Sequence, residues 1–190
     1  MYHLNSLNPR PYGRNKPYHY DDRRYQRNND DRCNDHENML MNHSDASDIK
    51  LIDYGNQPFI ININTATLQN KTFRTALWTG EHLQLTLTCI PVGGDIGLEV
   101  HPNVDQFLRI EEGHGIVKMG RRRNRLNFQK RVCDDFIIII PAGTWHNLIN
   151  TGNTPMKLYS IYAPPQHPFG TVHPTKADAE AAENNHDQCE

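Results

Sequence analysis

The stretch PVGGDIGLEVHPNVDQFLRIEEG, residues 91–113, decides how this chain folds. It opens on a turn, Pro91-Val92-Gly93-Gly94. Residues 97–101 (Gly-Leu-Glu-Val-His) read as a short strand, and on a strand residues i and i+2 share a face. Glu99 and His101 therefore project together. Pro102-Asn103 turns the chain, and residues 106–111 return as the adjacent antiparallel strand. That return aims Gln106 at the pocket that Glu99 and His101 face. Asp105 is one residue out of phase and should point the other way, although a β-bulge would reverse the choice between the two.

A second cluster lies downstream. Pro141-Ala142-Gly143-Thr144-Trp145-His146 supplies a turn and then another histidine. Two imidazoles, one carboxylate and one amide oxygen form a mixed nitrogen and oxygen donor set. Such a set suits Zn, Fe, Mn, Ni or Co as a divalent ion and leaves coordination positions open. The sequence thus predicts one divalent metal ion held by Glu99, His101, Gln106 and His146. The competing reading keeps the sheet but no ion, with Glu99 in a buried ion pair to His101 or His146. A buried glutamate is costly without a compensating charge, and a divalent cation supplies one.

Outward from these motifs the chain is rich in short strands. Residues 59–63 (Phe-Ile-Ile-Asn-Ile) read as the first, and 74–79 as the second. Residues 82–90 alternate, with Leu83, Leu85, Leu87 and Cys89 on one face and His82, Gln84, Thr86 and Thr88 on the other. The polar face lines either the mouth of a barrel or its outer surface. Further strands are expected at 97–101, 106–111, 115–119, 136–140, 145–150 and 157–163, separated by turn residues. Many short strands with regular turns indicate a sandwich or barrel. No repeat of 20–50 residues is visible, which makes it a single barrel. After Pro164-Pro165-Gln166-His167-Pro168 the chain leaves the sheet. From Thr175, a capping residue, to about Glu183 it is rich in helix formers.

The two clusters resemble the paired motifs of the cupin superfamily. The first is Gly-x5-His-x-His-x3–4-Glu-x6-Gly, which residues 93–113 match in spacing. The second is Gly-x5-Pro-x-Gly-x2-His-x3-Asn, matched by Pro141, Gly143, His146 and Asn150, with Asp135 where the leading glycine would stand. The resemblance covers roughly residues 59–163. It implies an all-β, single-domain double-stranded β-helix (jelly-roll) barrel. Two departures matter: Glu99 stands for the family's first histidine, and Gln106 for its glutamate. The pair is compensatory, since one carboxylate has crossed the site and the ligand charge stays at one negative unit.

The remainder of the 190-residue chain frames this barrel. Residues 1–48 hold eight Asn, seven Asp, six Arg, five Tyr and four His, with few aliphatic side chains. Such a segment cannot bury enough apolar surface to offset its ordering entropy, and it is expected to be a flexible polar arm. Its histidines (His3, His19, His36, His43) are too scattered for a metal site. The barrel is assigned to 49–174, and a short helix and tail to 175–190. A net charge of −2 gives no argument for nucleic acid as partner. No apolar run of membrane length or leader segment is seen. Cys33, Cys89, Cys133 and Cys189 form no CxxC pair and are expected as reduced thiols in a cytoplasmic protein.

Several other residues carry expectations. Trp145 should face away from His146, into core or interface. Tyr159 or Tyr162, but not both, can reach the cavity. Arg109 and Glu111 are read as surface or dimer residues, and His114 as solvated. The run Arg121-Arg122-Arg123-Asn124-Arg125 falls at a hairpin tip, as a solvated loop or an anion contact. His167 and His173 could close over the barrel mouth.

Three functions fit. The segment Leu98-Glu99-Val100-His101-Pro102-Asn103 resembles the Gln-x-His-Pro-Asp/Asn segment of type I mannose-6-phosphate isomerases, which implies a metal-dependent sugar or sugar-phosphate isomerase and ranks first. A two-histidine, one-carboxylate set also suits a non-haem Fe or Mn dioxygenase. The third is a non-catalytic module binding a small polar ligand or a partner. Exposed sheet edges and apolar outer faces point to a homodimer.

Overall fold

The computed structural model describes residues 48–186, with side chains through Glu183. The expected N-terminal arm, apart from Asp48, lies outside the described residues, as do Cys33, Cys189 and the last four residues of the tail. Among the described residues the order is α1 (Ile63–Gln69), β1 (Arg74–Thr79), β2 (Gln84–Ile90), β3 (Asp105–Glu112) and β4 (His114–Gly120). It continues with β5 (Phe128–Cys133), β6 (Ile137–Ile140), β7 (Trp145–Asn150), β8 (Met156–Ala163), β9 (Val172–His173) and α2 (Lys176–His186). Six strands form one sheet in the order β6-β3-β8-β2-β1-β9, and three form a second, β5-β4-β7. Every pairing is antiparallel. This is the expected all-β, two-sheet architecture with a short C-terminal helix.

The main core is built from inward side chains of both sheets: Ile90, Leu108, Ile110, Ile138, Ile140, Met156 and Leu158 against Val117, Val132 and Leu148. Registers stack these positions in layers. Gln84, Tyr162, Gln106 and Ile140 lie in one row across β2, β8, β3 and β6; Thr86, Ser160, Leu108 and Ile138 in the next. Thr88, Leu158 and Ile110 follow, then Ile90 and Met156. One end of the interior is thus apolar and the other increasingly polar.

β2 is covered on both faces, which resolves the orientation of its polar side. Gln84, Thr86 and Thr88 are buried inside the barrel. The opposite face, with Leu85 and Leu87, packs beneath α1 in a second apolar cluster with Ala66, Leu77, Phe59, Ile61 and Tyr159. Tyr159 therefore faces outward and Tyr162, which is 3% exposed, faces inward.

Residues 59–63 do not form a strand. Asn62 caps α1, its side chain accepting from the Thr65 amide at 3.1 Å, and Ile60 is 98% exposed. A capping asparagine commits the following residues to a helix, and Phe59, Ile61 and Ile63 pack on the sheet from outside it. Residues 97–101 likewise make only one bridge, Glu99 to His146, in place of a strand. β5 and β9 were not anticipated. The arginine run does sit at the β4–β5 hairpin tip, closed by an Arg122–Arg125 bridge. Arg123 lies 5.6 Å from the Trp145 ring.

Glu111 is corrected: its side chain is only 5% exposed, held by Arg109 at 3.1 Å and by the Asn64 amide at 2.7 Å. Packing of α1 over β3 covers it. Arg109 keeps 38% side-chain exposure and also pairs with Asp135 at 2.6 Å. Thr175 caps α2 as expected, in a reciprocal box: its hydroxyl accepts from the Asp178 amide at 3.3 Å, and Asp178 accepts from the Thr175 amide at 2.9 Å.

Candidate metal centre

Backbone contacts position the two motifs. The Glu99 amide donates to the His146 carbonyl at 3.1 Å, and the His146 amide donates to the Glu99 carbonyl at 2.9 Å. This single bridge sets Glu99 against His146 although 47 residues separate them. The Gly143 amide donates to the His101 carbonyl at 2.8 Å, tying the second motif's turn to the first. Two of the turn positions sit at positive φ, Gly143 at 74° and Asp135 at 65°. Asp135 is the residue that replaces the leading glycine of the second motif. It keeps the left-handed backbone, which aspartate tolerates better than most residues.

Glu99, His101 and His146 converge. One potential donor atom from each lies within 4.8 Å of the others. Glu99 Oε1 is 3.1 Å from His146 Nε2 and 3.5 Å from His101 Nε2. His146 is 1% exposed and His101 8%. His146 Nδ1 lies 2.9 Å from the Thr144 carbonyl. Donation from Nδ1–H to that carbonyl is the tautomer that frees Nε2, on the Glu99 side, to ligate a metal ion. Burial alone would raise the Glu99 pKa. Hydrogen bonds and charge from His101 and His146 outweigh it and hold the carboxyl well below the usual carboxylate range.

Gln106 is 2% exposed and points inward, in register with Tyr162 and Ile140. Its Oε1 is buried with no hydrogen-bond partner, and the buried His101 Nε2 has only the long 3.5 Å approach to Glu99. A buried acceptor without a partner is expensive, and Gln106 Oε1 beside a half-buried carboxylate and two imidazoles calls for a shared electrophile. The cluster fits a divalent metal ion on this ground. Asp105 is exposed and accepts from the Ala142 amide at 2.8 Å, so it stabilises the neighbouring turn from outside.

Groups outside the four candidate ligands surround this cluster. Tyr162 packs edge-on to both His101 and His167, with ring centroids 5.7 and 5.1 Å away. Burial pushes its phenol up to about 12. His167 is gripped through its backbone by Gln84. Gln84 Nε2 donates to its carbonyl at 2.8 Å, and Gln84 Oε1 accepts from its amide at 2.9 Å. Burial, and then the Arg74 charge, push the His167 imidazole down to about 2. Arg74 enters from β1, 5% exposed, and pairs with Glu183 of α2 at 3.2 Å. Arginine on a strand gives no sequence signal of facing inward. A cleft of about 450 Å³ opens beside this end, lined by His167, His173, Thr171 and Glu183 among others. The expectation that His167 and His173 lie at the barrel mouth thus fits their positions.

Comparison with known proteins agrees with this architecture. A family model described as "Cupin domain" matches residues 86–162. An uncharacterised Bacillus subtilis protein, YrkC, is 72% identical over 134 residues, covering 70% of this chain and 72% of that protein. An uncharacterised protein of Acanthamoeba polyphaga mimivirus, L612, is 38% identical over 123 residues, covering 64% of this chain and 75% of its own length. The crystal structure of BH2720 from Bacillus halodurans is 65% identical. It superposes with a TM-score of 0.68, covering 68% of this chain and 98% of that one.

Proposed function

This chain belongs to the cupin family, and from that premise we propose that Glu99, His101, Gln106 and His146 hold one divalent metal ion for chemistry on a small, oxygen-rich molecule. The observation that carries this reading is the convergence of a half-buried, ionised carboxylate with two buried imidazoles, one donor atom from each inside 4.8 Å. When bound, the ion would hold and polarise a neighbouring hydroxyl or carbonyl pair. Around it, Gln106 offers a neutral oxygen that adds no charge, and Thr144 keeps His146 in the ligating tautomer. Tyr162 walls one side as a neutral phenol, and His167 stands beside it as an imidazole that burial holds neutral.

Isomerisation of a small polyol, sugar or sugar phosphate is the reaction class ranked first, because it needs an oriented oxygen pair and a nearby proton acceptor and nothing else. Oxygen-dependent chemistry is a second reading, supported by the two-histidine, one-carboxylate donor set itself. A homodimer and a cytoplasmic location belong to the same proposal. For the dimer, edge strand β6 leaves Ile137 and Ile139 57% and 54% exposed. For the location, Cys89 is a free thiol.

The test begins with elemental analysis of full-length protein purified without a metal-binding tag. One equivalent of metal is expected, falling to background in His101→Ala. Aldose–ketose interconversion is then followed by solvent-deuterium incorporation, alongside oxygen consumption with Fe(II). Absence of metal at any stoichiometry would overturn the reading, and oxygen uptake without exchange would select the second class.

A further inference from the structure

Arg74 is an arginine with an unusual partner. Its guanidinium is buried at the polar end of the barrel, yet its carboxylate partner, Glu183, has a side chain 54% exposed on α2. A buried cation needs a compensating group. An exposed glutamate supplies that compensation weakly, because water competes for it and it can swing out at little cost. Exchange of Glu183 for an anion from solution is therefore close to balanced.

The surroundings suit such an exchange. Glu183 lines the 450 Å³ cleft together with His167, His173 and Thr171. His173 Nδ1 lies 3.5 Å from Arg74 Nη1. His167 Nε2 is buried and finds no hydrogen-bond partner. His167 lies outside the three-residue cluster within 4.8 Å, so that nitrogen is not part of the ring around the candidate ion. His167 and His173 line the cleft, Arg74 sits directly behind its wall in contact with both His173 and Glu183, and the sole acid lining it comes from α2.

We propose that this cleft is an anion site for the carboxylate or phosphate group of a small molecule, held by Arg74 with His167 and His173, and that Glu183 occupies Arg74 when no such anion is bound. As an anion site this stands on the geometry of the cleft alone. As the place where a substrate's acidic group docks, it rests on the metal-centre reading given above. A planar guanidinium matches either oxyanion, and a ligand anchored there would extend past His167 toward His101 and Glu99.

Calorimetric titration of full-length protein with inorganic phosphate and with acetate tests the inference, on samples as purified and after chelation. Glu183→Gln removes the internal competitor at an exposed position, and binding should tighten about tenfold. Arg74→Gln should lose binding, and Arg74→Lys should retain a weakened part of it. Preference for phosphate over acetate, or the reverse, identifies the acidic group. Unchanged affinity in Glu183→Gln, or full affinity in Arg74→Gln, would overturn the proposal. Binding only to metal-loaded protein, indifferent to both residues, would overturn it while leaving the metal centre standing. Binding that survives chelation and depends on Arg74 supports it even if no metal is found.

Discussion

Replacing Gln84 by leucine isolates the contact that holds the segment after β8 over the candidate site. Gln84 is 0% exposed and makes four hydrogen bonds. Nε2 donates to Thr79 Oγ1 at 2.9 Å and to the His167 carbonyl at 2.8 Å. Oε1 accepts from the His167 amide at 2.9 Å and the Gln166 amide at 3.3 Å. Leucine has similar volume, so no large cavity opens. Each bond contributes about 1 kcal/mol net, and the longest contributes less. The His167 backbone groups left behind belong to a segment with exposed neighbours and can reach water, which avoids the full penalty for buried unpaired groups. The sum is a loss of about 3 kcal/mol, a large share of the roughly 5–15 kcal/mol that stabilises a domain. Urea denaturation measures the global loss, and amide exchange at His167 should quicken about a hundredfold, the local equivalent of that energy. A loss below about 1 kcal/mol with the His167 amide still protected would refute the argument that Gln84 fixes this segment.

The remaining expectations concern the metal, the pH response and assembly. His101→Ala and His146→Ala should each abolish stoichiometric metal, whereas Gln106→Ala should weaken it without abolishing it, because a neutral amide is the poorest of the four donors. Asp105→Ala should retain full metal affinity; loss there with retention in Gln106→Ala would exchange their roles. His167 stays neutral in the fold down to about 2, against an ordinary 6.5, so below pH 6.5 the unfolded chain takes a proton the folded one refuses. Its contribution to stability is complete above pH 6.5 and is lost as pH falls toward 2, by up to about 1.4 kcal/mol per pH unit. His167→Gln should flatten the stability curve below pH 6.5, and equal slopes in parent and variant would contradict this. Ile139→Asp should convert a dimer to a monomer by light scattering, with no change if β6 is not the interface.

The motif spacing made the candidate centre legible because strand parity and turns act locally. Glu99 and His101 two residues apart, and a turn before His146, suffice to set directions. The segment at 59–63 was not legible in the same way. Its apolar run suits a strand, but Asn62 caps a helix whose Ala66 must fit under the sheet, a choice made by tertiary packing. Glu111 was misplaced for a related reason, since nothing in β3 announces that Asn64 will arrive from α1 to cover it.

Polarity along β2 shows most clearly where sequence patterns mislead. Alternation is usually read as an apolar face turned inward, yet here the face carrying Gln84, Thr86 and Thr88 is the inner one. Both faces are covered, one by the opposite sheet and one by α1, so polarity no longer distinguishes inside from outside. What distinguishes them is a change along the strand. The inner face of β2 runs from Gln84 through Thr86 and Thr88 to Ile90. That of β3 runs from Gln106 to Leu108 and Ile110, and that of β8 from Tyr162 and Ser160 to Leu158 and Met156. In register, these gradients gather Gln84, Gln106 and Tyr162 toward one end, and Ile90, Met156, Leu158 and Ile110 toward the other. A closed sheet needs only part of its interior for a dry core, and the rest can bear buried polar groups if partners or ligands satisfy them. The unpaired atoms of His101, Gln106 and His167 all belong to the polar end. An apolar substitution there, such as Gln106→Leu, should therefore stabilise the metal-free protein while weakening metal retention. Stability and metal retention falling together in that variant would mean Gln106 is structural and the gradient has another cause.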